Sequence, residues 1–121
     1  MAVVLIVDDS PTELHLFQTM LEKNGFSTLV ADSGEDGIRQ ASSNKPDVIL
    51  MDVVMPGMNG FQATRKLTQD PETAGIPVIM ITTKDQETDK IWGMRQGAVE
   101  YLVKPIDEKQ LVAQINAVMA G

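Results

Sequence analysis

Five short apolar segments recur along the chain, and longer segments with a helical spacing of apolar residues separate them. The first, third and fourth segments are apolar throughout, which is typical of strands buried on both faces of a parallel sheet. The pattern predicts strands at Val3–Val7, Ser27–Ala31, Val48–Met51, Val78–Ile81 and Val99–Val103.

The intervening segments begin with residues that favour a helix start. The first begins with Ser10-Pro11-Thr12-Glu13, which is a capping box with proline at the first helical position. Leu14, Phe17 and Leu21 then fall on one helical face, and Gly25 ends this helix. Capping residues also precede three further helices, at Ser33, Asn59 and Asp107.

The segment from about Gln86 to Gln96 has the weakest helical pattern. It contains Gly93, which costs about 1 kcal/mol relative to Ala inside a helix. Its apolar face consists of Ile91, Trp92 and Met94. Trp92 is open to two interpretations: it packs inward, or it belongs to a surface that contacts a partner, since Trp is enriched at interface hot spots.

Strands and helices that alternate at this spacing predict an α/β fold, with a parallel sheet covered by helices on both faces. Right-handed crossovers leave few strand orders. We expect the flavodoxin-like (βα)5 arrangement with order 2-1-3-4-5, because a six-stranded Rossmann order needs a longer chain. Nothing in the sequence marks a linker or repeat, so we expect one domain over residues 1–121.

Composition narrows the possible partners and sites. The 10 Lys and Arg residues against 17 Asp and Glu give a net charge of −7, which disfavours nucleic acid and anionic membrane surfaces as partners. Without Cys and with one His, disulfides and Cys- or His-rich metal sites are excluded. The apolar start of the chain lacks a basic leader and stops at Asp8, so we expect a cytoplasmic protein without membrane insertion.

Polar residues that can carry chemistry follow four of the predicted strands. They are Asp8 and Asp9 after the first strand, Asp52 after the third, Thr82 after the fourth and Lys104 after the fifth. Ligands of an open parallel sheet bind at the carboxyl ends of the strands, in the crevice where the strand order reverses. The expected order puts this crevice between the first and third strands, so the three acids should meet there.

Three carboxylates in one pocket repel one another, and without a cation at least one would be driven toward its neutral form. This set of hard oxygen ligands favours Mg²⁺, which binds through a few carboxylates and keeps several waters. The predicted metal ligands are Asp8, Asp9 and Asp52, with the backbone carbonyl of Val54 as a further oxygen.

The remaining strand-end residues point to phosphoryl transfer, which needs mainly positioning and charge neutralisation. Lys104 supplies a positive charge for a phosphoryl oxygen, and Thr82 supplies a neutral donor. Because a carboxylate can act as nucleophile and form an aspartyl phosphate, we expect Asp52 to be the phosphoacceptor. Each residue alone also fits a structural role as a turn, strand end or surface lysine; the combination favours the functional interpretation.

Four motifs occur in order along the whole chain: Val7-Asp8-Asp9-Ser10, the segment Asp52–Gly60, Ile81-Thr82 and Lys104-Pro105. Together they resemble the signature of the response-regulator receiver domain family. The resemblance implies that the phosphohistidine of a partner histidine kinase donates a phosphoryl group to Asp52. It also implies that Asp8 and Asp9 bind Mg²⁺ with Asp52, and that Lys104 and Thr82 contact the phosphoryl group.

The same resemblance implies a cis bond between Lys104 and Pro105, and a switch role for Tyr101, whose rotamer would follow Thr82. Three segments are also similar in sequence to stand-alone regulators of type IV pilus twitching motility: Ser10–Glu13, Gly60–Arg65 and Thr82–Lys90. We therefore expect a signalling module rather than an enzyme. It would have no output domain and would act as a monomer or weak dimer.

Such a module would act on a downstream protein target through the fourth helix, fifth strand and fifth helix. Three alternatives stay open: a phosphate sink for a sister regulator, a scaffold independent of phosphorylation, and a small Mg²⁺-dependent phosphohydrolase. The last is disfavoured because such enzymes carry an Asp-x-Asp pair, whereas Asp8 and Asp9 are adjacent. Because Val54 cannot orient an attacking water and Thr83 narrows access, we predict slow self-dephosphorylation.

Overall fold

The computed structural model describes residues 2–120, so the outer limits of the predicted domain, residues 1 and 121, lie outside the described residues. Within residues 2–120, five strands alternate with five helices. The strands are β1 (Val3–Val7), β2 (Ser27–Ala31), β3 (Val48–Met51), β4 (Val78–Thr82) and β5 (Glu100–Val103). The helices are α1 (Pro11–Lys23), α2 (Gly34–Asn44), α3 (Gly60–Gln69), α4 (Glu87–Arg95) and α5 (Glu108–Ala120).

The predicted strands differ from the observed ones only at two ends. β4 extends one residue further, to Thr82, because Thr82 continues the ladder by pairing with Val103. β5 starts one residue later than predicted, at Glu100, since Val99 is exposed and precedes the paired residues. The apolar character of Val99 therefore extended the predicted strand by one position.

All five strands are parallel, in the order β2-β1-β3-β4-β5, which confirms the predicted flavodoxin-like fold. The register aligns the ends of β1 and β3, because Val7 lies opposite Met51. The residues that follow, Asp8 and Asp52, therefore lie side by side at the C-terminal edge of the sheet.

Alternating strand residues divide the core into two layers. One face of the sheet packs against α1 and α5, in a cluster that includes Val4, Ile6, Phe17, Leu21 and Leu111. The opposite face packs against α2 and α3, in a cluster that includes Leu5, Val7, Ala41 and Leu67. Since both faces are covered, the apolar runs in the central strands show no polar alternation.

The predicted caps at Ser33, Asn59 and Asp107 each accept a backbone N–H from the helix that follows, and Asn59 forms a complete capping box. At α1 the predicted capping box is only half formed. Ser10 Oγ accepts the N–H of Glu13, but the Ser10 N–H donates to Asp8 and the Glu13 carboxylate lies against Lys104. Tertiary partners have replaced the second half of the motif.

The helix α4 leaves its apolar residues partly exposed, which places Trp92 at the surface and not in the core. Its only buried residue is Gly93, and its large apolar side chains are about half exposed: Ile91 49%, Trp92 48% and Met94 47%. A Cβ at Gly93 would lie 2.8 Å from Met80 Sδ and 2.9 Å from the Tyr101 ring. The helix therefore approaches the sheet through its backbone, which leaves Trp92 on the surface.

None of the helices within residues 2–120 is long and apolar enough to cross a membrane.

Candidate functional site

Three carboxylates meet at the C-terminal edge of the sheet, where β1 and β3 lie side by side. One carboxylate oxygen from each of Asp8, Asp9 and Asp52 lies within 4.8 Å of the others. Asp8 and Asp52 are 3% and 8% exposed, whereas Asp9 is exposed. The cluster thus has a buried floor and one side that faces solvent.

Backbone N–H groups orient the two buried carboxylates. Asp8 Oδ1 accepts the Ser10 N–H at 3.0 Å, in the turn that leads into α1. Asp52 is the first residue after β3, and its Oδ1 accepts the Val53 N–H at 2.9 Å. These bonds hold both side chains toward the crevice by local chain geometry.

Lys104 brings its ammonium to this cluster from the end of β5. Its Nζ lies 3.0 Å from Asp8 Oδ2, 3.0 Å from Glu13 Oε1 and 3.9 Å from Asp52 Oδ1. The Phe17 ring lies beneath it, with 5.9 Å between Nζ and the ring centroid. Burial alone lowers the pKa of Lys104, but its hydrogen bonds to Asp8 and Glu13 raise the pKa above the ordinary value. The Lys104 side chain therefore carries a positive charge at neutral pH.

The pKa of the Asp52 carboxyl is raised by its surroundings. Burial raises its pKa to about 6; Lys104 opposes this effect and the neighbouring Asp8 adds to it. A buried acid with a second carboxylate beside it is better stabilised by a divalent cation than by one lysine.

The donor set fits Mg²⁺, because three carboxylates supply hard oxygen ligands in a pocket open to water. The predicted contribution of the Val54 carbonyl stays a prediction. Val54 itself is 57% exposed.

Thr82 and Tyr101 hold opposite sides of one peptide segment. The Thr82 hydroxyl is fully buried and accepts the Lys84 N–H at 3.3 Å. The Tyr101 hydroxyl donates to the Lys84 carbonyl at 2.9 Å. Burial, with a contribution from the acids around it, raises the pKa of Tyr101 to about 12, so the hydroxyl remains a donor. Both predicted switch residues therefore act on the segment between β4 and α4.

Thr82 also lies next to the lysine that follows β5, since the Lys104 N–H donates to the Thr82 carbonyl at 2.8 Å. The bond between Lys104 and Pro105 is cis, as the resemblance implied. The exposed Thr83 contributes to an open groove of about 310 Å³ beside the site. The groove is lined by Glu13, Leu16, Phe17, Thr83, Lys104, Pro105 and Ile106.

One site residue was missed by the sequence analysis. Glu13 was assigned only to a helix cap, yet its carboxylate forms an ion pair with Lys104. The available signal was its position five residues after Asp8, in the first turn of the helix that follows the acidic pair. Which cation it meets depends on the folding of the distant β5.

Residues 4–116 match the family model of the response regulator receiver domain. The chain belongs to this family. Protein PilH from Pseudomonas aeruginosa is 64% identical over 121 residues, which span all of both chains. Further relatives are longer proteins, of which this receiver domain spans between 25% and 51%.

Solved receiver structures share the fold. The chemotaxis protein CheY4 of Vibrio cholerae superposes with a TM-score of 0.92 at 31% identity, over 98% of each chain. The receiver domain of the sensor histidine kinase PA1611 from P. aeruginosa superposes with a TM-score of 0.92 at 25% identity, over 99% of this chain and 98% of that one. The PA1611 structure has a magnesium ion coordinated in its active-site cleft.

Proposed function

We propose that this receiver domain accepts a phosphoryl group on Asp52 from the phosphohistidine of a partner histidine kinase. The observation that carries the proposal is the meeting of Asp8, Asp9 and Asp52 with the ammonium of Lys104 at one sheet edge. This arrangement supplies a nucleophile and the positive charge that a phosphoryl group requires.

In the proposed reaction a carboxylate oxygen of Asp52 attacks phosphorus, the phosphorus–nitrogen bond breaks, and the histidine nitrogen keeps the electron pair. The Val53 N–H orients the attacking carboxylate, and Lys104 is placed to balance charge on the phosphoryl oxygens. Asp8, Asp9 and Asp52, with the Val54 carbonyl, would hold Mg²⁺, which supplies further charge neutralisation when bound.

The change would pass to the surface through Thr82 and Tyr101. If the Thr82 hydroxyl turns to a phosphoryl oxygen, it releases the Lys84 N–H that it now accepts. The Lys84 carbonyl is the acceptor of the Tyr101 hydroxyl, so its movement frees the tyrosine to change rotamer. To shift the population from 1:99 to 99:1, phosphorylation must favour the active state by about 5.5 kcal/mol.

We infer that the output is a protein contact made by α4, β5 and α5, and that it controls twitching motility. The 64% identity with PilH over 121 residues supports this assignment, together with the motif resemblance described above. The half-exposed apolar side chains of α4 support a protein-binding face. The proposal further includes a cytoplasmic location and a monomer or weak dimer.

Incubation with acetyl phosphate and Mg²⁺, followed by intact-mass measurement, tests the phosphoacceptor. We expect a gain of one phosphoryl group that a chelator prevents and that Asp52→Asn abolishes. Asp47→Asn, which changes an exposed acid just before β3 at the opposite edge of the sheet, is the matched control and should behave like the unaltered protein. Equal uptake by Asp52→Asn would assign the chemistry to another residue.

The lifetime of the product tests the expectation of slow self-dephosphorylation. We expect the half-life of the phosphoprotein to be longer than that of the Val54→Asn variant, since an amide can orient an attacking water. Repeated turnover of small phosphate esters, in place of one stoichiometric phosphorylation, would favour a phosphohydrolase.

A further inference from the structure

Two carboxylates hold Lys104, and neither of them is the proposed phosphoacceptor. The ammonium lies 3.0 Å from Asp8 and 3.0 Å from Glu13, but 3.9 Å from Asp52. We propose that Glu13 is a positioning residue that restrains Lys104 in the unphosphorylated protein and thereby slows phosphoryl capture. This inference rests on the proposed function of Asp52.

The restraint is built into the start of α1. The Ser10 N–H donates to Asp8 Oδ1, and the Glu13 N–H donates to Ser10 Oγ. One short segment therefore places both carboxylates around the lysine. A glutamate in the first turn of a helix is also favoured by the helix dipole, which stabilises Glu13 at this position without the second half of a capping box.

An arriving phosphoryl group needs the same ammonium. Lys104 is nearly buried, with its side chain 12% exposed, so water cannot readily replace either partner. The Glu13 side chain is 30% exposed and belongs to the first turn of α1, so this ion pair draws the positive charge of Lys104 toward that helix. It competes with the phosphoryl oxygens for the donors of Lys104.

Glu13 is better suited than Asp8 for testing this competition. Asp8 is also a predicted metal ligand, so its removal would change Mg²⁺ binding as well as the lysine. Glu13 lies outside the acidic cluster that brings three carboxylates within 4.8 Å. Its replacement therefore changes the environment of Lys104 and leaves the proposed ligands in place.

The test is the initial rate of phosphorylation by acetyl phosphate at saturating Mg²⁺, followed by intact mass. In this reaction Asp52 attacks phosphorus and acetate leaves with the electron pair. We expect Glu13→Gln to raise the rate about threefold to fivefold, the factor expected for loss of one partly exposed ion pair. Glu87→Gln removes the same charge from the first turn of α4 and should leave the rate unchanged.

A second background separates competition for the lysine from simple repulsion of the anionic donor. In Lys104→Met protein, measured over longer incubations, Glu13→Gln should have no effect, because the group through which Glu13 acts is missing. An equal gain in both backgrounds would overturn the proposal. So would an unchanged or slower rate in Glu13→Gln, or the same gain in Glu87→Gln.

The unaltered protein distinguishes failure of this inference from failure of the proposed function. If it gains a phosphoryl group that depends on Asp52 and Glu13→Gln matches its rate, only the role of Glu13 is contradicted. If it gains none, the phosphoacceptor assignment and the restraint are both contradicted.

Discussion

The helices α1 and α4 both border the functional edge of the sheet, but they are held in different ways. α1 inserts Phe17 and Leu21 into the core, and its first turn supplies Glu13 to the lysine of the site. α4 buries only Gly93 and leaves its large apolar side chains half exposed. The same sheet edge therefore has one firmly packed side and one lightly packed side.

This difference matches the two tasks in the proposed mechanism. Holding carboxylates and an ammonium in register needs elements that rarely move. A switch needs an element that can change its packing at small cost in free energy, and such elements come from the less stable parts of a structure. The Tyr101 ring lies next to Gly93 of α4, and Tyr101 belongs to β5, which ends just before Lys104. Tyr101 therefore lies between the residues that form the site and the helix that would change its packing.

The largest expected effect comes from removing core contacts on the two sides. Leu21→Ala in α1 should lower the free energy of unfolding by about 2–5 kcal/mol, since Leu21 is fully buried. Ile91→Ala in α4 should change it by less than about 0.5 kcal/mol, because Ile91 is already half exposed in the folded protein. Urea unfolding measures both, and similar losses would show that α4 is packed as tightly as α1.

The buried acid Asp52 should lower the stability of the protein at neutral pH. Burial raises the pKa of Asp52 to about 6, so folding favours its protonated form and stability falls as pH rises from about 4 to 6. Without Mg²⁺, Asp52→Asn should therefore stabilise the protein by about 3 kcal/mol at pH 8 and little at pH 4.

Urea titrations across this pH range measure the Asp52 effect, with Asp32→Asn as the control at an exposed acid. The expected signature is a gain that grows with pH in Asp52→Asn alone. A pH-independent gain would mean that loss of the charge is not its source.

Gly93→Ala tests whether α4 is held through its backbone. Alanine normally favours a helix over glycine by about 1 kcal/mol. Here the added methyl would lie 2.9 Å from the Tyr101 ring, so we expect a net destabilisation of about 1–2 kcal/mol. Thermal unfolding measures it, and Gly75→Ala, which has open space for the methyl, should be near neutral. A stabilised Gly93→Ala protein would show that α4 moves away at little cost.

The smallest of these expected losses should come from the Tyr101 hydroxyl, which connects β5 to the segment before α4. Tyr101→Phe removes its hydrogen bond to the Lys84 carbonyl, which should lower the free energy of local opening of the segment between β4 and α4 by about 1 kcal/mol. Hydrogen exchange should become faster in the segment between β4 and α4, while α1 keeps its protection. Uniform acceleration over the whole chain would indicate a global loss of stability instead.

Local sequence was sufficient for much of the fold. Burial on both faces produces uninterrupted apolar runs, so three central strands could be located before their neighbours were known. Caps such as Asn59 satisfy N–H groups within four residues, so helix starts are also local. With right-handed crossovers, these elements leave few arrangements, and the end of each strand then indicates which polar residues converge.

The partners of those residues depended on the tertiary structure. Lys104 and Asp8 are 96 residues apart, and no spacing rule states that Glu13 would join them in place of completing a helix cap. Gly93 is unfavourable for an isolated helix, but it is required where α4 meets Tyr101. Local propensity describes what a segment prefers alone, whereas the neighbour that fills each space is determined only when distant segments pack together.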